Sequence, residues 1–303
     1  MIRRTAATTN TLRVPERFFG DGPPHWLVGA DNRPCETVAE ATAAAQREIK
    51  RLRKQARISP ALDDLAELVE GCSKQARCRS GACHLCRRAL QRWFVETAPV
   101  AVRRHLKVTG SELSAISIIT DVRLRGGNDM AHTRRQLRSI ATSIHRTFDS
   151  AGIPFAIGGI DVSLNEDQAL RFRPHFQFQI WAIAAAEDIA KAKRCLEQAF
   201  DSSLAAHQPV KSYDFDGDLA GYAYALKTSF NRRTTLPAGP AADGTWRRQN
   251  TRLKARLTVA THARLLSLLH ELGLEGRLFL RGIQVEANKA GRPVIRPTRK
   301  TSG

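Results

Sequence analysis

The segment RPHFQFQIWAI, residues 173–183, alternates polar and apolar side chains with a period of two residues. In a β-strand this period places His175, Gln177 and Gln179 on one face, followed there by Trp181. The phenylalanines and the isoleucine between them lie on the other face. We expect the apolar face to pack against helices, which leaves the polar face as the open face of a sheet.

The hydrophobic period changes along the chain and predicts the elements around this strand. Three further strands are predicted, over residues 115–122, 155–165 and, more weakly, 208–215. Three helices are predicted from apolar residues at helical spacing, over residues 129–152, 187–200 and 216–230. The order β-α-β-β-α-β-α is typical of an α+β, ferredoxin-like (RRM-like) sandwich, in which helices cover one face of an antiparallel sheet.

Composition and helix breakers divide the chain into five parts. These are an irregular basic arm (1–36), a helical region with a cysteine cluster (37–111), the sandwich (112–231), a Pro/Gly-rich linker (232–250) and a C-terminal helix with a basic tail (251–303). In the last part, Leu265, Leu266, Leu269 and Leu272 form one stripe of a helix. Gly273 follows them and is expected to end that helix.

The charge of the chain favours a polyanionic partner. Its 303 residues include 48 Lys+Arg against 29 Asp+Glu, a formal net charge of +19, and 37 of the basic residues are arginine. Arginine donates hydrogen bonds in a planar fork that suits phosphate, so nucleic acid is the expected partner. The apolar runs are shorter than the roughly 20 residues of a membrane span, and the first residues lack the apolar core of a secretory signal. We therefore expect no membrane partner and a reducing, cytoplasmic location.

Four of the six cysteines lie in the segment CSKQARCRSGACHLC, with the spacing Cys-x5-Cys-x4-Cys-x2-Cys. They are Cys72, Cys78, Cys83 and Cys86. Four thiolates this close in sequence can form a tetrahedral structural zinc site, and His84 could replace one of them. The alternative is a set of buried free thiols. Arginines beside the cluster would be available for DNA phosphates, and these are Arg77, Arg79, Arg87 and Arg88.

The polar face of the strand at His175 carries side chains of the kind that bind hard metal ions. His175 and Gln177 are two residues apart on this face and could share one ion. In the preceding strand Asp161 alternates with aliphatic residues, so it lies on the same face, and an antiparallel neighbour could bring it beside His175. Imidazole, carboxylate and amide oxygen together suit Mg²⁺ or Mn²⁺ better than zinc. The alternative is an ordinary polar surface.

The helix predicted over residues 216–230 points its two tyrosines in different directions. Tyr222 shares an apolar stripe with Leu226 and is expected to pack in the core. Tyr224 lies about 200° further round the helix, with Lys227 three residues later on the same side. The spacing therefore predicts a phenol and an ammonium presented together, away from the core.

The HFQ of the strand and the YALK of the helix resemble, in order and spacing, the motifs of HUH-type endonucleases. The resemblance is to the Rep proteins that initiate rolling-circle replication of plasmids and phages, and it covers about residues 112–231. It implies Tyr224 as the nucleophile, Lys227 as its helper, and His175 and Gln177 as ligands of a divalent ion. Gln177 stands where that family has its second histidine, and the assignment of Asp161 to the ion follows from position alone.

This resemblance implies a single-stranded DNA endonuclease and strand-transferase that nicks a replication origin through a covalent phosphotyrosine. A free phenol has a pKa of about 10, so the chemistry needs nearby positive charge and a metal ion. The chain has no Gly-x4-Gly-Lys-Ser/Thr phosphate loop, so a separate helicase is the expected partner.

Two alternatives share these features. An HUH-type transposase would carry the same motifs. A non-catalytic, zinc-containing nucleic-acid-binding protein could use the open sheet face to stack bases, but Trp181 is the one aromatic residue on that face of the strand, which favours the nuclease.

Overall fold

The computed structural model describes residues 36–73, 75–120, 130–167, 170–203, 206–235, 256–288 and 293–297. Within these ranges the chain is an α+β protein. Its helices are α1 (Val38–Ala56), α2 (Ala61–Glu70), α3 (His84–Thr109), α4 (Met130–Ser150), α5 (Ala186–Ala199), α6 (Leu219–Ala225) and α7 (Val259–Leu272), with a 3-10 helix at Glu275–Arg277. Its strands are β1 (Leu113–Ile119), β2 (Ala156–Asp167), β3 (His175–Ala185), β4 (Val210–Asp214), β5 (Arg232–Thr235), β6 (Leu278–Arg281), β7 (Ile283–Ala287) and β8 (Pro293–Pro297).

Parts of the chain lie outside these ranges. They include residues 1–35 of the predicted basic arm, with Cys35, and most of the predicted linker. Among the described helices, none combines the length and the apolar character that crossing a membrane requires.

One six-stranded sheet forms the centre of the molecule. Four of its strands lie in the order β4-β1-β3-β2 and are antiparallel to their neighbours. The outer edge of β2 carries two more strands, β5 in parallel and β6 antiparallel, at opposite ends. The sheet is therefore mixed, whereas the sequence predicted an antiparallel one. The difference arises because residues 232–235, predicted as linker, pair with β2.

Helices lie on both faces of this sheet. On the apolar face, Phe176, Phe178 and Ile180 of β3 are buried, as the two-residue period predicts. On the polar face, α6 approaches β2 so closely that a Cβ atom on Gly159 would overlap the carbonyl oxygen of Ala225. Gly159 lies on the same face of β2 as Asp161, because the two are separated by one residue. The prediction of an open polar face is therefore wrong where α6 covers it.

The N-terminal helices are joined to the sheet through one hydrophobic core. α1 starts with a capping box, in which the Thr37 and Glu40 side chains each accept from the other's backbone N–H. α1 packs against α2, α3 and α7, while α3 packs against α6. One cluster of buried apolar residues includes Leu52 of α1, strands of the central sheet and Ile295 of β8. The described residues of the helical region, the sandwich and the C-terminal part thus share one core.

The C-terminal region differs partly from its prediction. α7 ends where expected, because Gly273 follows it with a left-handed φ of 69°. After α7, however, β6 joins the central sheet and β7 pairs with β8 in a separate hairpin. The predicted basic tail therefore contains a strand, Pro293–Pro297. Strands this short, with arginine and proline in them, show no clear alternating period.

Candidate metal centre and polar face of the sheet

The four cysteines of the predicted zinc motif come together in space. Cys72 follows α2, Cys78 lies in the loop, Cys83 precedes α3 and Cys86 is in its first turn. Their sulfur atoms all lie within 4.8 Å of one another, with 3.6 Å from Cys72 to Cys86 and 3.7 Å from Cys78 to Cys86. Four sulfurs around zinc at about 2.3 Å would be separated by about 3.8 Å. The cluster could therefore hold a metal such as zinc.

The thiols perturb one another in a way that favours a bound cation. A hydrogen bond with Cys78 lowers the pKa of Cys72, whereas hydrogen bonds with Cys72 raise the pKa of Cys83 and of Cys86. The pKa of Cys78 is also lowered, so two of the four thiols ionise more readily at the expense of the other two. A divalent metal removes this conflict because it neutralises several thiolates at once.

His84 lies next to the cluster but is not one of its ligands. Its Nε2 contacts Glu36 Oε2 at 2.6 Å and its Nδ1 contacts Glu48 Oε1 at 3.2 Å. Burial opposes protonation, but the hydrogen bonds with Glu36 and Glu48 outweigh it and raise the pKa of His84. Both ring nitrogens of His84 are thus engaged by carboxylates, which leaves neither of them directed at the sulfur cluster. The expectation that His84 could replace a cysteine is therefore not met.

Two of the arginines expected to meet DNA phosphates are buried instead. Arg87 donates to Glu48 Oε1 at 2.6 Å and to the carbonyl oxygen of Gly81 at 3.1 Å. Arg88 donates through Nε to the carbonyl oxygen of Glu36 at 2.6 Å. Arg79, in contrast, is exposed. Arg87 therefore holds the cysteine loop to α1, and Arg88 holds α3 to Glu36, just before α1.

The candidate ligands of a divalent ion do not converge. Cα pairing places Asn165 opposite His175, Ser163 opposite Gln177, and Asp161 opposite Gln179. Asp161 is thus four positions along β2 from Asn165, the residue opposite His175, and four positions of a strand span about 13 Å. The sequence predicted the face of Asp161 correctly, but not its pairing position, which depends on the hairpin between β2 and β3.

Each of these side chains also has a local environment of its own. His175 Nδ1 contacts the carbonyl oxygen of Arg173 at 2.9 Å, and Gln177 Oε1 accepts from Asn165 Nδ2. His175 Nε2 is buried without a hydrogen-bond partner in the described chain. This nitrogen could ligate an ion, but Asp161 lies too far along β2 to join it, so among the described residues His175, Gln177 and Asp161 do not form a complete Mg²⁺ or Mn²⁺ site.

The two tyrosines of α6 have opposite environments, as helical periodicity predicts. Tyr222 is 1% exposed and its ring lies edge-on to Phe215, with 5.2 Å between the ring centroids. Burial raises the pKa of Tyr222 well above its usual range. Tyr224 is 40% exposed. α6 ends at Ala225, so Lys227 lies just beyond the helix and not on it, yet its ammonium is 5.3 Å from the centroid of the Tyr224 ring.

Hydrogen bonds and ion pairs fix this end of α6 to the sheet. Lys227 Nζ is 2.5 Å from Asp161 Oδ2, so Asp161 serves as the partner of the lysine. The buried guanidinium of Arg277 donates to the carbonyl oxygen of Lys227 at 2.9 Å, and Gln91 of α3 donates to that of Ala223 at 2.9 Å. No local pattern in the sequence relates Arg277 or Gln91 to α6, so neither residue was predicted here.

Trp181 and Tyr213 complete the surroundings of Tyr224. The Trp181 ring is 5.1 Å from that of Tyr224 and 5.4 Å from that of Tyr213, measured between centroids. Trp181 is six positions from His175 along β3, a separation of about 20 Å. Tyr224 and the histidine therefore lie at different ends of the polar face. The pairing of β4 with β1 brings Tyr213 here, and sequence reasoning did not foresee it.

Comparisons of this chain with protein-family models, with curated proteins and with solved structures find no match.

Proposed function

We propose that the protein is a single-stranded DNA endonuclease and strand-transferase of the rolling-circle initiator type, with Tyr224 as its nucleophile. One observation carries this proposal. Of the two tyrosines on α6, Tyr224 is exposed and lies beside the Lys227 ammonium, while Tyr222 is buried. An exposed phenol beside a held cation is the arrangement that attack on a phosphodiester requires.

The reaction follows from these groups. The Tyr224 oxygen loses its proton to solvent and attacks the phosphorus, and the bond from phosphorus to the 3′ oxygen breaks as the new bond forms. The leaving 3′ oxygen takes a proton, and the 5′ phosphate stays on the tyrosine. A free 3′-hydroxyl later reverses the step, which rejoins the DNA. Lys227 stabilises the negative charge that develops at the phosphate, and Asp161 holds Lys227 in place.

The fold and the charge support this proposal. The elements β1-α4-β2-β3-α5-β4, with the strand order β4-β1-β3-β2, agree with a ferredoxin-like core. The formal charge of +19 suits a DNA partner. The resemblance of HFQ and YALK to HUH-type endonucleases adds the rolling-circle context: a replication origin as the substrate, a separate helicase and a cytoplasmic location. A transposase of the same type would use the same residues.

The proposal includes the zinc ion expected from the sequence but not the Mg²⁺ or Mn²⁺ ion. We assign zinc to the cysteine cluster, where it would fix the loop between α2 and α3. His175 and Gln177 do not form a complete divalent-ion site with Asp161, so the positive charge that we assign to the step at Tyr224 is the Lys227 ammonium.

The second candidate is a non-catalytic, zinc-containing protein that binds single-stranded nucleic acid. The observation that favours it is the separation of about 20 Å between His175 and Trp181, beside which Tyr224 lies. In a metal-dependent nuclease the ion and the nucleophile must meet at one phosphate. The exposed aromatic rings around Trp181 would serve such a protein equally well.

A covalent adduct distinguishes the two candidates. The wild type, Tyr224→Phe and Tyr222→Phe would each be incubated with a library of single-stranded oligonucleotides of randomised sequence, with and without Mn²⁺. We expect an adduct on denaturing gels for the wild type and for Tyr222→Phe, and none for Tyr224→Phe. DNA binding by all three proteins without any adduct would favour the non-catalytic candidate.

A further inference from the structure

Three aromatic rings from three different elements meet at the surface beside α6. They are Trp181 of β3, Tyr213 of β4 and Tyr224 of α6, and we call them the aromatic platform. Trp181 lies between the two tyrosines and is half-buried, with its ring tilted by 36° to Tyr213 and by 71° to Tyr224. Tyr213 is 44% exposed. Large exposed rings in a cluster form a surface on which a flat ligand can stack.

Polar groups around the platform indicate the chemistry of such a ligand. The indole Nε1 of Trp181 is buried and has no hydrogen-bond partner within the described ranges. Ser117 of β1 pairs with Trp181 on one side and with Lys211 of β4 on the other. Residues paired across a sheet point to the same face, so the exposed side chain of Lys211 lies on the platform's face, and its Cα is about 10 Å from that of Trp181. The ligand would combine an aromatic face with negative charge.

We propose that the aromatic platform binds one base of single-stranded DNA by stacking, with the adjoining phosphate at Lys211. That this base lies beside the nucleotide attacked by Tyr224 rests on the function proposed above. A single strand exposes the faces of its bases, whereas a duplex hides them, so the platform selects unpaired DNA. The net positive charge of the chain also favours a polyanionic ligand over an uncharged aromatic ligand or a peptide with few acidic residues.

The surroundings limit the platform to a short stretch of DNA. Beyond Tyr213 a cleft of about 550 Å³ opens between α5 and the edge strand β4. Its wall includes Lys193 and Lys211 but also Glu197 and Asp201. These carboxylates would repel a second phosphate. We therefore expect one stacked nucleotide here and no continuous track along β4.

Substitution of Tyr213 tests the stacking directly. Fluorescence anisotropy of a labelled oligothymidine would measure affinity for the wild type, Tyr213→Ala, Tyr213→Phe and the distant control Ile58→Ala, which alters another exposed apolar residue. We expect Tyr213→Ala to weaken binding roughly 5- to 100-fold. Tyr213→Phe, which keeps the ring, and Ile58→Ala should stay within about twofold of the wild type. Affinity for duplex DNA should be unchanged in all of them.

Trp181 provides a second measurement that does not depend on the stability of an alanine variant. Oligothymidine should quench the tryptophan fluorescence of the wild type, and Trp181→Phe should lose most of that quenching. Trp93 is fully buried and should not contribute, and both proteins would carry Trp26→Phe and Trp246→Phe so that the signal reports Trp181. Equal affinity of Tyr213→Ala and wild type for single-stranded DNA would overturn the proposal, as would tighter binding of the duplex than of the single strand.

The outcome is separable from that of the nuclease proposal. The adduct is scored on the wild type, whereas the platform is scored on the affinity of Tyr213→Ala for single strands. If the wild type forms no adduct but Tyr213→Ala loses affinity for single strands, the nuclease proposal fails and the platform stands. If the adduct forms and the affinity is unchanged, the platform fails and the nuclease proposal stands.

Discussion

Tyr222 and Tyr224 are residues of one type, two positions apart on a short helix, with opposite chemistry. The direction of each side chain decides the difference: Tyr222 packs against Phe215, whereas Tyr224 contacts Trp181 at the surface. The helical period alone predicted this outcome. Asp161 shows the limit of such reasoning, because its partner depends on a long-range strand register that no local pattern encodes.

After Tyr224 itself, Lys227 is the residue on which the proposed chemistry depends most. Its ammonium lies between Asp161 and the Tyr224 ring. Lys227→Gln removes the positive charge, and we expect the rate of adduct formation to fall roughly 100-fold, as for loss of one group that stabilises a transition state. Lys227→Arg keeps the charge and should recover part of the rate. Single-turnover assays at saturating DNA would measure it, and a rate for Lys227→Gln equal to that of the wild type would remove Lys227 from the mechanism.

At the scale of elements, the hydrophobic period predicted the four central strands and two of the helices well. The predictions agree with β1 to β4, α4 and α5 to within a few residues and with the end of α7, whereas the helix predicted over residues 216–230 extends only over Leu219–Ala225. The period failed for β5 to β8, which have four or five residues each. Two of these strands, β5 and β6, form because the edge of β2 offers unpaired backbone groups. Tertiary pairing of this kind is invisible to a local pattern.

We expect the loop between α2 and α3 to depend on a bound metal more than on its own contacts. We predict that the purified protein holds about one zinc per chain, and that Cys86→Ser loses it. Because folding energy of such loops comes from the metal, the melting temperature should fall by roughly 10 °C or more. Cys195→Ser, outside the cluster, is the matched control and should keep the metal. Metal analysis and thermal melts would measure both effects, and a metal-free wild type with four reactive thiols would refute the site.

At the scale of the whole molecule, buried charges join the N-terminal helices to the C-terminal one. Glu48 of α1 contacts Arg87 and His84 of α3 and, at 3.7 Å, His262 of α7. Phe230 then lies between the guanidinium groups of Arg87 and Arg277, each 5.3 to 5.4 Å from its ring centroid. This chain of contacts runs from the cysteine loop to the segment that follows Lys227.

Glu48→Gln should therefore destabilise the entire fold. Burial by itself would raise the pKa of Glu48, but Arg87 together with His262 and His84 holds it well below the ordinary 4.5. Loss of this carboxylate leaves Arg87 buried without its counter-ion, which should cost about 3 to 5 kcal/mol of unfolding free energy. Glu70→Gln, which breaks an exposed ion pair with Arg53, should cost less than about 1 kcal/mol.

The pH dependence of this effect has a definite sign. A carboxylate whose pKa is lowered on folding stabilises the protein above its unfolded pKa, and this contribution is lost as the pH falls. The difference between wild type and Glu48→Gln should therefore be full at pH 7 and shrink below pH 4.5. Urea unfolding at several pH values would measure it. A difference that does not change with pH would contradict the ionised Glu48.

The site of DNA attachment tests the central claim most directly. A covalent adduct trapped on wild-type protein would be digested, and the modified peptide would be sequenced by fragmentation in a mass spectrometer. The account predicts the nucleotide on Tyr224, because its phenol is exposed and Lys227 lies beside it. Attachment to Tyr222 or to Tyr213 would contradict the account.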